Sequence, residues 1–478
     1  MKHARWLPAA RRWRRMPPRR AGPTTHEEWH MKRHAWALGL VLALGCGKDS
    51  NPTPPDAGGN PDGGPIDTSP FAKFVVDSSE GQFDPISSIA MAVGPQDRIG
   101  MAYFVRNGTM RENVENMDLM YREFNGGQLG AAERIATVQR VYGVSVAFGP
   151  DGQPVVTYLG GDREDPSSFW FQSDLAVSYR SASGAWTERI VVRQSNEAQP
   201  VNPAMDVGFL VGLNPAIVFN GSEAIVAYRD GKNGQYERQD FQSSDLEIAS
   251  GGPTNWQRRV AVASGDTKMG YGGHISMVMA GTQPALVHDK APEAAQATGT
   301  DVHFQRRNAD GLTWSPVVRV QAVPNTQLGA SLAYDSVEGF GVAVLNRNSN
   351  TLTFTECADA SATSCTSERD WSMPDPVFNN GTGGWYPSLA FDPVHHEPSI
   401  AFYICAAESG RNDTSCNPND DALVISTRIQ GIWRETLVDA GGGWSPKLAY
   451  LSSGKRVVLY RAPVVAQDKG VLKLAVER

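Results

Sequence analysis

From Phe71 onward the apolar residues hold no helical period; they fall into short runs separated by turns rich in Gly, Asp, Pro and Ser. One unit recurs: an apolar run, a turn, a second apolar run ending near an aromatic residue, then two weaker strands. The opening hairpins are Ser87–Phe104, Val144–Leu159, Pro215–Asp230, Ile275–Asp289, Ala330–Leu345, Pro387–Tyr403 and Pro446–Tyr460. With Ser88, Ser145, Ala216, Ser276, Ser331, Ser388 and Lys447 as equivalent points, the spacings are 57, 71, 60, 55, 57 and 59 residues. Near-constant spacing of this kind is the signature of a repeat architecture. A third strand follows each hairpin, as in Asp118–Glu123, Asp174–Arg180, Asp245–Ser250, Asp301–Arg307, Thr351–Glu356, Asp421–Arg428 and Leu472–Arg478. A fourth often opens on Trp: Trp186, Trp256, Trp314 and Trp433.

Seven units of four antiparallel strands, arranged radially, make an all-β seven-bladed β-propeller, which leaves only short, protected sheet edges. The chain ends support the same reading. The last unit stops at its third strand, while Phe71–Asp77 (FAKFVVD) matches Trp433–Asp439 (WRETLVD) in its spacing of aromatic, aliphatic and acidic positions. An N-terminal strand completing the last blade predicts one domain over 71–478 in preference to two separate β domains.

The remaining residues have other roles. Residues 31–45 carry a short basic stretch and the apolar run Ala35–Gly45, which is too short to span a bilayer and reads as a signal peptide. The ending Ala43-Leu44-Gly45-Cys46 resembles the bacterial lipobox, and that resemblance implies a lipidated Cys46 and a membrane anchor. Residues 1–30 place eight basic residues before an already complete signal and read as a mis-called or extended leader. Residues 46–70 hold 11 Gly or Pro and form a stalk unable to bury a core. Gly47 carries no evident inner-membrane retention signal, which points to the outer membrane of a cell envelope.

Charge sharpens this division. The whole chain has 44 Lys and Arg against 51 Asp and Glu, but residues 1–45 hold 10 basic and 2 acidic groups. The rest is left with 34 against 49, a net of −15, which argues against nucleic acid as a partner. Five cysteines are present. With Cys46 taken by lipid, the even set Cys357, Cys365, Cys405 and Cys416 suits disulfides in an oxidising compartment. Local pairs, Cys357 with Cys365 and Cys405 with Cys416, would each staple one loop; the two other connectivities would bridge neighbouring blades. The spacings lack a zinc-type pattern, and neither a metal nor a cofactor is expected.

The repeats average close to 60 residues, more than a compact blade of about 40 to 45 needs. Most of the surplus lies between second and third strands, on the face that also carries the blade-to-blade links. That face is the expected binding face. Its aromatics are Phe83, Tyr142, Tyr271, Trp385, Tyr386 and Trp444, which could stack on sugar rings or partner side chains, or else wedge adjacent blades together. Its charged candidates are Arg106, Asp162, Arg229, Asp230, Asp289, Lys290 and Arg347, with Arg229 and Asp230 also readable as a local surface pair. On the opposite face the hairpin turns stay tight, and His395-His396-Glu397 reads as one more such turn.

Ala309–Trp314 resembles the Asp-box turn of sialidase-like propellers, although Arg307 stands where that pattern has Ser and the Asp falls one place late. In that family the box is structural. The resemblance therefore implies fold and carries over no catalytic residue. With no nucleophile elbow, metalloprotease motif or phosphate loop present, the leading expectation is a non-enzymatic lipoprotein that offers its propeller to a protein or glycan partner. The alternatives are a glycoside hydrolase or lyase acting on envelope polysaccharide at the channel mouth, and a structural part of an envelope or motility assembly.

Overall fold

The computed structural model describes Ser69 to Arg478, apart from residues 79–88, 112–113, 140, 162–173, 194–209, 232–243, 265–268, 293–299, 324–328, 347–348, 350, 360–363, 380–382, 405–420, 441 and 465–468. The expected leader, signal and stalk as far as residue 68, with Cys46, lie outside the described residues. So do Phe83, Asp162, Arg347, Cys405 and Cys416.

Seven antiparallel sheets make up the described chain, as the repeats predict. From the axis outward, blade two runs Val144–Phe148, Pro154–Gly160, Asp174–Arg180 and Trp186–Val192. Blade three runs Leu210–Asn220, Glu223–Gly231, Asp245–Gly251 and Trp256–Val262. Blade four runs Met269–Ala280, Gln283–Pro292, Thr300–Arg306 and Val318–Val323. Blades five and six start at Ala330–Asp335 and Gly383–Phe391. Blade one starts at Ile89–Val93, and its outermost strand is split into Gln128–Leu129 and Glu133–Val138. Blade seven takes Trp444–Tyr450, Arg456–Val464 and Lys469–Glu477, and its fourth strand is Phe71–Asp77, with Phe71 opposite Glu477 and Phe74 opposite Leu474. The ring closes as expected.

The outer strands of blades one, four and five depart from the Trp rule, that of blade one having no Trp in either half. Trp314 makes only an isolated bridge to Arg307, and its strand starts at Val318. Pro316 lacks a ladder N–H, so the pairing cannot begin earlier. Blade five has no Trp opener; its outer strand is Asp375–Phe378, and Trp371 instead packs its ring 5.1 Å from Phe304.

The apolar faces meet between blades. One cluster joins Val156 and Tyr158 of blade two to Ala102 and Phe104 of blade one; another joins Phe71, Val458 and Tyr460 of blade seven to Ile425 of blade six. Because each blade buries both faces against neighbours, its second strand is mostly apolar along its middle, as the fully buried Pro154–Gly160, with Thr157 its one polar side chain, illustrates. In all seven blades the ladder between third and fourth strands slips by one residue, for example between Ile190 and Val192 and between Val75 and Asp77. A bulge there increases local twist, which lets the outer edge splay as blades radiate from an axis.

A second repeated device lies nearest the axis. Ser145, Ser276, Ser331 and Ser388 each accept, through Oγ, the backbone N–H of the next blade's innermost strand: Ile217 at 3.2 Å, Leu332 at 3.0 Å, Leu389 at 2.9 Å and Leu448 at 2.8 Å. These are the serines that mark the sequence repeat. Ala216 and Lys447 occupy the same position without such a hydroxyl. Cys357 and Cys365 form the expected local disulfide, with Cα atoms 6.0 Å apart.

Candidate functional site at the channel mouth

The seven innermost strands enclose a central cavity of about 380 Å³. Two residues before six of the marker positions, those among the described residues, the chain adopts a left-handed conformation. Glycine fills this place at Gly143 and Gly329, whereas Asn214, His274, Tyr386 and Ser445 hold φ values of 48°, 44°, 56° and 51°. All six line the cavity. A left-handed backbone is strained for residues other than glycine and is kept where the surroundings impose it, often at functional positions.

Groups that recur around the ring serve the architecture. A buried Tyr hydroxyl donates to an acid in Tyr158–Glu188, Tyr228–Glu247 at 2.5 Å, Tyr403–Asp421 and Tyr460–Asp439 at 2.5 Å. The Tyr228–Glu247 pair is closed off further by Arg258, whose Nε lies 2.6 Å from Glu247. Both members are fully buried, so this Tyr/Glu pair is part of the frame.

One constellation does not recur, and it lies where blade three meets blade four. At the end of the second strand of blade four, Asp289 is buried and its Oδ2 lies 2.8 Å from Nδ1 of His274. Its Oδ1 is buried with no hydrogen-bond partner among the described residues. Arg229, from the corresponding strand end of blade three, donates through Nε to Ser244 Oγ at 2.7 Å, and Ser244 in turn donates to the Tyr271 carbonyl at 2.9 Å. Burial pushes the Arg229 guanidinium down to about 10, partly offset by the Asp289 charge, and it stays cationic at neutral pH. Gly272, at φ +79°, lets blade four pass this close: a Cβ there would lie 3.2 Å from Arg229 Cβ. Asp230 and Asp245 stand opposite one another in the ladder, both fully buried, so two carboxylates share one sheet face at a cross-strand spacing of about 5 Å. Behind them, burial holds His288 down at about 3 and His303 at about 4, with the His303 ring adding to the former, so both are neutral.

The structure therefore gathers Arg229, Asp230, Tyr271 and Asp289 of the sequence candidates, and adds His274, Ser244 and Asp245. The other candidates separate from them. Arg106 sits on an extended hairpin of blade one, 3.4 Å from Glu115. Tyr142 is half-buried at the next seam round, its carbonyl accepting the Asn214 N–H at 2.7 Å. Trp385 and Tyr386 are buried wedges, the first fully. Trp444 is half-buried, its ring 6.1 Å from Tyr403. His274 had one sequence signal: in the aligned repeats it stands where two others carry Gly.

On the opposite rim the expected turn residues are local structure. Asp310 Oδ1 accepts the N–H groups of Leu312 and Thr313, so the Asp-box-like turn closes despite its displaced Asp. His395 Nδ1 lies 2.9 Å from Asp392, and His396 Nδ1 lies 3.0 Å from Asp335 of the preceding blade.

No protein-family model matches the chain, and no curated protein matches it in sequence. Solved structures do resemble its fold. The Penicillium chrysogenum α-L-arabinanase complexed with arabinobiose has 12% identity and a TM-score of 0.44, over 84% of this chain and 97% of that one. The GH93 α-L-arabinofuranosidase of Fusarium graminearum has 12% identity and 0.44 over 86% and 98%. A Streptococcus pneumoniae sialidase has 10% identity and 0.44 over 85% and 70%. By name these neighbours are glycoside hydrolases. The expectation of a non-enzymatic binding scaffold stands against these names, while the likeness itself, at 10 to 12% identity, shows the fold alone.

Proposed function

We propose that this chain is an enzyme acting on polysaccharide, a glycoside hydrolase or lyase, with its site at the channel mouth between blades three and four. The observation that carries this reading is the His274–Asp289 pair: a cavity-lining imidazole held by a buried carboxylate, at the one blade that places His in the strained mouth position. An ionised carboxylate can only accept, so the Nδ1 bonded to Asp289 carries the proton and Nε2 keeps its lone pair. His274 is then the base that takes a proton from an attacking water or from a sugar carbon, and Asp289 orients the ring and stabilises the imidazolium that results. Arg229 supplies a fixed positive charge beside them for an acidic sugar or a developing oxyanion. The half-buried ring of Tyr271 offers a stacking surface at the same seam.

The proposed setting is the cell envelope, with Cys46 lipidated and residues 46–70 as a tether. Cys46→Ala should abolish acyl labelling and release the protein from membranes; a variant that stays membrane-bound would overturn the anchor. The enzyme reading is tested by digesting a panel of neutral and acidic envelope polysaccharides. New reducing ends without an unsaturated product assign hydrolysis, and an unsaturated product assigns elimination. If no polysaccharide is cut, or if His274→Ala cuts as fast as the wild type, the proposal fails.

A further inference from the structure

Below the mouth, the wall of the channel has a composition of its own. Among the described residues its lining contains no Asp or Glu. Ser145, Ser276, Ser331 and Ser388 each use Oγ as acceptor for a backbone N–H of the next blade. A hydroxyl that accepts in this way still has its own proton to donate, and in these four it finds no acceptor among the described residues. Ser445, also on the wall, has a buried Oγ with no hydrogen-bond partner among the described residues. The seventh marker position is Lys447, half-buried against the channel and without a carboxylate partner among the described residues. A ring of hydroxyl donors and one ammonium, with no acceptor charge, is matched to an anion.

We infer that the central channel is a binding site for a small monovalent anion, either a halide or a sugar-type carboxylate, with Lys447 as its counter-charge and the marker serines as its hydrogen-bond donors. An ammonium held away from bulk water without a counter-charge is costly, and a resident anion removes most of that cost. The state of Lys447 agrees: burial pushes its ammonium down to about 8 with no acidic neighbour opposing it. The cavity volume suits one small anion with a few waters and excludes a bulky polyanion. The site does not depend on the enzymatic reading, because His274 is not needed to hold the anion.

The test uses crystals of the purified chain soaked in sodium bromide, with calorimetric titration of bromide and of glucuronate in solution. The expected result is an anomalous bromide peak beside Lys447 Nζ, and at least a tenfold loss of affinity in Lys447→Ser. That variant installs the residue five other blades carry at this position, and should fold; Lys447→Met serves as a second neutral replacement, and Lys447→Arg should keep the site. Bromide binding alone assigns an inorganic ion, and glucuronate binding alone assigns the carboxylate of a sugar acid. Binding of neither, or binding that is unchanged in both neutral variants, overturns the inference. Loss of polysaccharide cleavage with bromide binding retained would fault the enzyme reading and leave this one standing.

Discussion

The two rims of the propeller each hold a histidine in left-handed backbone, bonded through Nδ1 to a buried carboxylate across a short gap: His274 to Asp289 at 2.8 Å, and His396 to Asp335 at 3.0 Å. The difference is in what else the carboxylate does. Asp335 also accepts the amides of Val337 and Glu338, so its oxygens are consumed in closing a tight turn and stapling blade five to blade six. Asp289 closes no turn, and one of its oxygens is left without a hydrogen-bond partner among the described residues. Its histidine faces the channel. The same pair of residue types is thus structural on one rim and available for chemistry on the other. What separates them is the number of backbone N–H groups the carboxylate must satisfy.

Substitution can break this comparison. The largest expected effect is at the mouth: His274→Ala should lower kcat/KM on the polysaccharide by about 100-fold or more, as removal of a general base does, with the ring still folded by circular dichroism. On the plain rim, Cys357→Ser with Cys365→Ser should cost about 2 to 3 kcal/mol of stability for a loop of this length, measured by denaturant unfolding, and leave activity unchanged. Smaller still, His396→Ala should cost about 1 kcal/mol by losing the staple to Asp335, also without effect on turnover. Equal activity losses in His274→Ala and His396→Ala would erase the distinction between the rims.

The smallest effect is acid sensitivity. Burial pushes the Asp335 and Asp392 carboxyls up, but the His396 or His395 ring and the turn amides outweigh it and hold both below the usual carboxylate range. A carboxyl with a lowered folded-state pKa stabilises the fold above its unfolded value of about 3.9 and loses that contribution as pH falls through the folded value. The acid limb of a stability-versus-pH curve should therefore become shallower in His396→Ala. An unchanged limb would mean that the staple does not set the Asp335 charge.

The fold was legible because its physics is periodic. Alternating runs, turns and the spacing of Ser145, Ser276, Ser331 and Ser388 repeat seven times, and the likeness of Phe71–Asp77 to Trp433–Asp439 foretold the closing strand. The late start at Val318 was hidden because Trp314 promised a strand that Pro316 forbids. The site was only partly legible, since it is the place where the repeat is broken. Arg229, Asp230 and Asp289 could be named as rim charges, but His274, two residues before a marker serine, carried no motif, and its partner lies 15 residues away across a hairpin. Trp385 and Tyr386 were readable in sequence either as ligand platforms or as wedges between blades, and both are buried at the blade seam.

The hydroxyl stitches around the axis also say where the ring is fastened. Blades four to seven are sewn in series by Ser276, Ser331 and Ser388, and blades two and three by Ser145. At the seam from three to four the thread stops at Ala216, and at the seam from seven to one it stops at Lys447. At the first of these seams the ties lie away from the axis, in the Ser244–Tyr271 bonds and the Arg307–Glu223 ion pair. The seam that holds His274 and Arg229 is thus fastened from its outer side, with its axial edge left without a stitch.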